Sequence, residues 1–154
     1  LARRDNGKGK LVFCHFRGEI DFLQHRLMHE GMSVETFDGR VNTADRSAIL
    51  EGICDVLILQ IQTGCEGLNL QQFNEIYFVS PHWNPSVEDQ AIARCHRIGQ
   101  KEEVDVFRFM TTFKEPTKND TIRHHSKFDS SVSLDQYCIE IQKKKREKAR
   151  ECGL

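Results

Sequence analysis

Short apolar runs alternate with segments of helical periodicity over the first 110 residues, and this alternation restricts the possible folds more than any other feature. Buried strands are predicted at 11–14, 34–37, 56–61 and 75–79, and an edge strand at 104–110. Strands separated by helices indicate an α/β fold, with a parallel sheet and helices on both of its faces. Ligands bind such sheets at the carboxyl ends of the strands, so functional residues are expected in the loops after strands.

The helical segments complete this organisation. Apolar residues recur at helical spacing over 20–28, and a second helix is predicted over 43–50. Ser86 begins a capping-box-like segment that predicts a helix to about Arg97. A second capping box at Ser133 begins a helix with one apolar stripe and a basic far end. The predicted units are a basic linker over 1–10, an α/β domain over 11–113, a polar loop or insertion over 114–132 and a basic helix over 133–154.

Composition narrows the class of protein. The 154 residues, 38% of them hydrophobic, suffice for one ordinary domain with a core. No apolar run approaches the roughly 18 residues of a membrane span, so no membrane association is expected. The chain starts at Leu1 and shows no signal peptide, which suggests a piece of a longer protein. Six cysteines without a C-x-x-C pair favour buried thiols, notably Cys14, Cys54 and Cys138, in a reducing, intracellular setting.

The net charge of −1 conceals an uneven distribution. Residues 1–10 carry +3 and residues 142–151 carry +4, around a body of −8. Basic ends could suit a polyanionic partner. On charge alone, a solvated linker and a solvated helix face are the favoured explanation.

A glycine-containing segment, Thr63-Gly64-Cys65-Glu66-Gly67, follows the most apolar strand. Two glycines there would allow backbone N–H groups to approach a phosphate closely. A plain strand-to-helix turn is the more common explanation, and the chain contains no P-loop sequence.

Three polar residues could meet a triphosphate. Gln90, Arg94 and Arg97 share one face of the predicted helix at positions i, i+4 and i+7. Arginine suits this task because its guanidinium stays charged and binds phosphate oxygens through two parallel hydrogen bonds. An exposed helix whose arginines pair with Glu88 or Asp89 is an equally good explanation.

The only tryptophan lies in a loop, Trp83-Asn84-Pro85, after the strand over 75–79. Proline keeps the preceding residue out of helical geometry, which fixes the loop. A loop tryptophan can stack on or wedge into nucleic acid, although it more often covers the edge of its own core. No metal site is predicted, because no metal-binding pattern is formed by the histidines His15, His82, His96, His124 and His125.

These segments together resemble the second motor lobe of the Swi/Snf-related DNA translocases of helicase superfamily two. The resemblance covers about residues 11–110, and the helix from Ser133 resembles the bracing helix of that family. It is carried by the segments Leu11–Phe16, Phe37-Asp38-Gly39 with Arg46, Thr63–Leu70, Trp83-Asn84-Pro85, Asp89-Gln90-Ala91 and Arg94-Cys95-His96-Arg97-Ile98-Gly99-Gln100. The last three are the most specific.

The resemblance implies a RecA-like second helicase lobe of a DNA-dependent ATPase, acting on ATP with Mg²⁺ held mainly by a first lobe of the same chain. One of Arg94 and Arg97 would be the arginine finger and thus catalytic. The implied ATP-binding residues are Gly64, Glu66, Gly67, Gln90, Arg94 and Arg97. The implied DNA-binding residues are His15, Phe16, Arg17, Thr63, Gly64, Asn69 and Trp83.

The same resemblance implies a nuclear protein that moves on duplex DNA and remodels nucleosomes or displaces bound proteins. Without the first lobe, this chain alone is not expected to hydrolyse ATP. Two departures from the family pattern, Gln62 at an arginine position and Cys65 at a glycine position, weaken the expected DNA contact there. An ATPase-dead scaffold lobe and the lobe of a strand-separating helicase remain alternatives. A free-standing nucleotide-binding domain would need its own glycine-rich loop, and no G-x-G-x-x-G occurs.

Overall fold

The computed structural model describes residues 2–62, 68–112 and 133–153, without the side chains at positions 43, 44 and 46. Five parallel strands form one sheet in the order β2-β3-β1-β4-β5. The strands are β1 (Gly9–Cys14), β2 (Val34–Phe37), β3 (Val56–Gln60), β4 (Phe73–Phe78) and β5 (Asp105–Arg108). The helices are α1 (Arg17–His29), α2 (Thr43–Glu51), α3 (Pro85–Cys95) and α4 (Leu134–Glu151). The predicted α/β fold with a parallel sheet is confirmed.

The strands alternate their side chains between two apolar layers, as the two-residue period of a strand requires. In β1, Leu11 and Phe13 enter one layer together with Ala91 and Cys95 of α3. Cys14 enters the other layer, together with Ile20 of α1. Helices α1 and α3 therefore cover opposite faces of the sheet.

The chain reverses its direction across the sheet between β1 and β4. After β1 it passes through α1 to β2 at one edge, and after β4 it passes through α3 to β5 at the other edge. Because β1 and β4 are neighbours, the loops that leave their carboxyl ends diverge from a common point. In open α/β sheets this switch point is the preferred location of a ligand crevice.

Helix α3 is shorter than predicted at its carboxyl end and has a different cap. Asn84 caps it through a 3.2 Å hydrogen bond to the Ser86 N–H, and Pro85 occupies the first turn, where its fixed φ suits a helix. The helix ends at Cys95 instead of Arg97. Its C-cap, His96, leaves helical geometry with φ −87° and ψ 79°, and Gly99 follows with φ +103°.

The predicted basic linker over 1–10 contacts the sheet, while its residues 2–7 remain exposed to solvent. Its last two residues belong to β1. Arg3 and Asn6 each donate a 2.7 Å hydrogen bond to the carboxylate of Glu75 on β4, which is fully buried. Tyr77 donates a third at 2.7 Å. A buried carboxylate needs such donors, and the basic segment supplies them.

This cluster makes stability depend on pH. Burial alone would raise the pKa of Glu75, but the hydrogen bonds from Tyr77, Arg3 and Asn6 outweigh it, and its pKa is lowered. The ionised carboxylate thus stabilises the fold above the unfolded value of about 4.3, and this contribution is lost as the pH falls through the folded pKa. We expect Glu75→Gln to lower the free energy of unfolding by about 2 kcal/mol at neutral pH, and the deficit to shrink on acidification. Denaturant unfolding of the wild-type and Glu75→Gln proteins, from neutral pH to below the folded pKa of Glu75, measures this deficit. A deficit that does not change with pH would contradict the stabilising role of the ionised Glu75 carboxylate.

Candidate functional site

Two histidines meet at the switch point. His15 follows β1, His82 follows β4, and their rings stack with centroids 5.4 Å apart and an interplanar angle of 9°. A carboxylate near the start of the next helix fixes each loop. The His15 N–H donates to Glu19 of α1 at 2.8 Å, and the His82 N–H donates to Glu88 of α3 at 2.8 Å.

The structure brings four of the predicted DNA-binding residues to this edge of the sheet: His15, Phe16, Arg17 and Trp83. Phe16 is the N-cap of α1 and is 70% exposed, and Arg17 begins the helix. Trp83 is 46% exposed, so about half of its surface is accessible to a partner. Its ring meets Tyr137 of α4 edge-on, with centroids 6.0 Å apart. The carboxyl ends of the strands thus present the exposed rings of Phe16 and Trp83 beside the Arg17 guanidinium and the His15 imidazole.

The predicted triphosphate-binding residues share helix α3 only in part. Gln90 and Arg94 lie one turn apart on α3, while Arg97 lies beyond its end and is exposed. The predicted common face of all three residues is therefore wrong, because the helix stops at Cys95. The Arg97 N–H instead donates to the Cys95 carbonyl at 3.2 Å.

The acidic residues considered as partners of these arginines bind elsewhere. Glu88 pairs with Arg108 of β5 at 2.9 Å. Asp89 accepts two 2.8 Å hydrogen bonds from Arg146 of α4. Within the described part of the chain, the ion pairs of these two carboxylates are therefore with Arg108 and Arg146.

Asn69 lies apart from His15, Phe16, Arg17 and Trp83. It lines a surface pocket with Gly9 and Phe73, which begin β1 and β4, so it sits toward the amino ends of the strands. The adjacent Leu70 N–H donates to the Arg94 carbonyl at 3.2 Å, which links this segment to the end of α3. The predicted site residues Thr63, Gly64, Glu66 and Gly67 lie outside the described residues, as does the loop or insertion over 114–132.

Sequence reasoning missed a polar cluster beneath the loop over 80–84, which we call the Trp83 loop. Glu88 is fully buried and accepts hydrogen bonds from the backbone of this loop, from Arg108 and from Gln142 of α4. A glutamate in the first turn of a helix is ordinarily solvated, and its negative charge interacts favourably with the helix dipole. The sequence therefore carried no signal for its burial.

Among the described cysteines, Cys14, Cys95 and Cys138 are buried, whereas Cys152 is exposed. Burial raises the pKa of the Cys14 and Cys95 thiols to about 12, so both stay protonated at neutral pH. Cys138 is also buried, and its thiol contacts the Pro81 carbonyl at 3.6 Å. Cys54 is only half-buried, in contrast to the sequence prediction.

Within 2–62, 68–112 and 133–153, no group of three or more His, Cys, Asp or Glu side chains could hold a metal ion. None of the helices in these ranges is long and apolar enough to cross a membrane.

The parallel sheet with helices on both faces is that of a RecA-like lobe, the fold that the sequence resemblance implied. The model of the helicase conserved C-terminal domain matches residues 1–99, and the chain belongs to this family. Within it, the chain is a C-terminal lobe of the Swi/Snf-related type in superfamily two, as its sequence suggested.

The relatives are much longer proteins. DNA repair protein RAD5 of Candida albicans is 39% identical over 127 residues, which cover 76% of this chain and 12% of that protein. RAD5B of Arabidopsis thaliana is 33% identical, over 71% of this chain and 9% of that protein. RAD5 of Saccharomyces cerevisiae is 35% identical, over 68% and 10%. The chain thus spans about a tenth of the length of these relatives.

The fold is also found in solved structures. The C-terminal part of the Fun30 ATPase domain superposes with a TM-score of 0.65 at 21% identity, over 97% of this chain and 50% of that chain. This likeness covers α4 as well as the sheet, which supports the expected C-terminal helix as part of the same fold.

Proposed function

We propose that this chain is the C-terminal motor lobe of a DNA-dependent ATPase that translocates on duplex DNA and remodels nucleosomes or displaces other bound proteins. The observation that carries the proposal is the path of α3. This helix begins directly after Trp83 at the switch point, carries Gln90 and Arg94 along its length, and leads to Arg97. One rigid element therefore joins the DNA-contact edge to the residues that would reach ATP.

Within this lobe, the arginines would act on the phosphates of ATP. Arg94 and Arg97 would reach across a cleft to ATP, and one of them would stabilise the charge that develops on the transferred phosphoryl group. Gln90 would help to close the site, together with Gly64, Glu66 and Gly67. The first lobe would hold most of the ATP and the Mg²⁺. The lobe alone would therefore not hydrolyse ATP at a useful rate.

At the switch point, His15, Phe16, Arg17 and Trp83 would contact duplex DNA. A cation and polar groups suit the phosphate backbone, and exposed aromatic rings suit the groove. Thr63, Gly64 and Asn69 would transmit changes between DNA and the ATP cleft. The names of the relatives, DNA repair proteins, support this reading and a nuclear location.

The proposal is tested with the longer protein that contains this chain and its first lobe. We expect duplex DNA to raise its rate of ATP hydrolysis strongly. The same protein without residues 1–154, and this chain alone, should both be inactive. A folded protein that hydrolyses no ATP with or without DNA would instead support a scaffold lobe, and displacement of an annealed strand would support a strand-separating helicase.

A further inference from the structure

We infer that Glu88 is a positioning residue that couples the Trp83 loop to the ATP-facing part of α3, and that α4 completes this coupling through Gln142. The inference rests on the proposed function, because it assigns a role in DNA-stimulated ATP hydrolysis. It concerns residues that touch neither DNA nor ATP in that proposal.

The Glu88 carboxylate joins four elements within hydrogen-bond distance. Its Oε1 accepts from the His82 N–H at 2.8 Å and from Gln142 Nε2 at 2.8 Å. Its Oε2 accepts from Arg108 Nε at 2.9 Å. The Trp83 loop, α3, β5 and α4 thus converge on one side chain that is 0% exposed. Because water does not reach this carboxylate, no solvent can replace a lost partner.

Gln142 closes the arrangement from the side of α4. Its Nε2 also donates to the His82 carbonyl at 2.5 Å. Both backbone polar groups of His82 are therefore held, the N–H by Glu88 and the carbonyl by Gln142. The next carbonyl, that of Trp83, accepts from Lys145 at 3.0 Å. The backbone on either side of the tryptophan's Cα thus has its position set by α3 and α4.

The other end of this connection is on α3. Glu88 precedes Gln90 by two residues and Arg94 by six residues on one continuous helix. A displacement of the Trp83 loop by DNA would therefore pull on the helix that carries both residues. A misplacement of about 1 Å at a catalytic group can cost on the order of 10²-fold in rate. The connection through Glu88 between the Trp83 loop and α3 can therefore control the rate of ATP turnover.

The test is Glu88→Gln in the longer protein, with ATP hydrolysis measured across duplex DNA concentrations. Three donors converge on Glu88, and a glutamine must turn its own NH₂ toward at least one of them. We expect the ratio of DNA-stimulated to unstimulated turnover to fall about ten-fold. Adding Arg108→Met, which removes the donor facing Oε2, should restore part of that ratio. A merely structural defect would lower stimulated and unstimulated turnover together and leave their ratio unchanged. A Glu88→Gln protein with the wild-type ratio would therefore overturn the inference, and so would a double variant no less impaired than Glu88→Gln.

The matched control is Asp89→Asn, the neighbouring carboxylate, which also ties α3 to α4 but does not touch the Trp83 loop. It should keep the stimulation ratio within about two-fold of wild type. If Glu88→Gln fails to fold, Gln142→Met decides: a reduced ratio supports the inference and an unchanged ratio overturns it. If the wild-type protein is stimulated and both variants match it, the inference alone fails. If the wild-type protein is not stimulated, the proposed function fails and the inference falls with it.

Discussion

Replacing Arg97 with alanine in the longer protein is expected to lower ATP turnover about 10³-fold, the scale attributed to an arginine finger. Arg97 is exposed and lies just beyond α3, in a turn that is held by hydrogen bonds from Gln71 to the Ile98 carbonyl and from Gln100 to the Cys95 carbonyl. Among the residues that the structure describes, the Arg97 guanidinium forms no hydrogen bond or ion pair, so it can act on a phosphate without first breaking one. The affinity for ATP should change much less, since the first lobe would hold most of the nucleotide.

Two measurements separate the roles of the arginines. Single-turnover hydrolysis reports the chemical step, and a fluorescent nucleotide reports binding. Arg26→Ala is the matched control, because Arg26 is an exposed arginine on α1 that pairs with Glu30 at 2.9 Å. It should be neutral. If Arg97→Ala turns over ATP normally while Arg94→Ala does not, the finger is Arg94 instead.

Trp83→Ala should weaken the response to duplex DNA roughly 30-fold, on the basis of about 2 kcal/mol for an aromatic contact with nucleic acid. The fold should survive, because the indole is 46% exposed and its described ring contact is with Tyr137 on the surface. The measurement is the DNA concentration that gives half-maximal stimulation of hydrolysis, alongside a thermal unfolding curve.

Phe22→Ala serves as the control for this variant. Phe22 is an aromatic residue of α1 that is 69% exposed and lies outside the loops at the switch point. It should leave the response to DNA unchanged. A Trp83→Ala protein that loses its cooperative unfolding transition would instead identify Trp83 as part of the core.

The strands and helices could be predicted because each carries its own periodic signal. Val34 to Phe37 forms a strand with the predicted bounds, and Ser133 forms the predicted capping box with Gln136. Apolar burial and local capping act over a few residues, so the sequence displays them directly. The end of α3 was misplaced by two residues, because the turn from His96 to Gly99 depends on contacts with the separate segment at Gln71.

The grouping of the site residues required the tertiary structure. The sequence alone identified Arg94, Arg97 and Trp83 as candidate site residues. Their motifs also indicated the family. The sequence analysis grouped Asn69 with Trp83 as DNA-binding residues. In the structure Asn69 lies toward the amino ends of the strands, because it precedes β4, whereas Trp83 follows β4 at the carboxyl ends.

By itself, then, the sequence determined the fold class, the order of its elements and the family, since these follow from local periodicity and motif chemistry. Only the tertiary structure decided which charges are buried. Glu75 and Glu88 have the same formula as any solvated glutamate, but long-range packing surrounds each with donors from segments distant in the chain. Burial of a charge is a property of the assembled environment, and no local pattern encodes it.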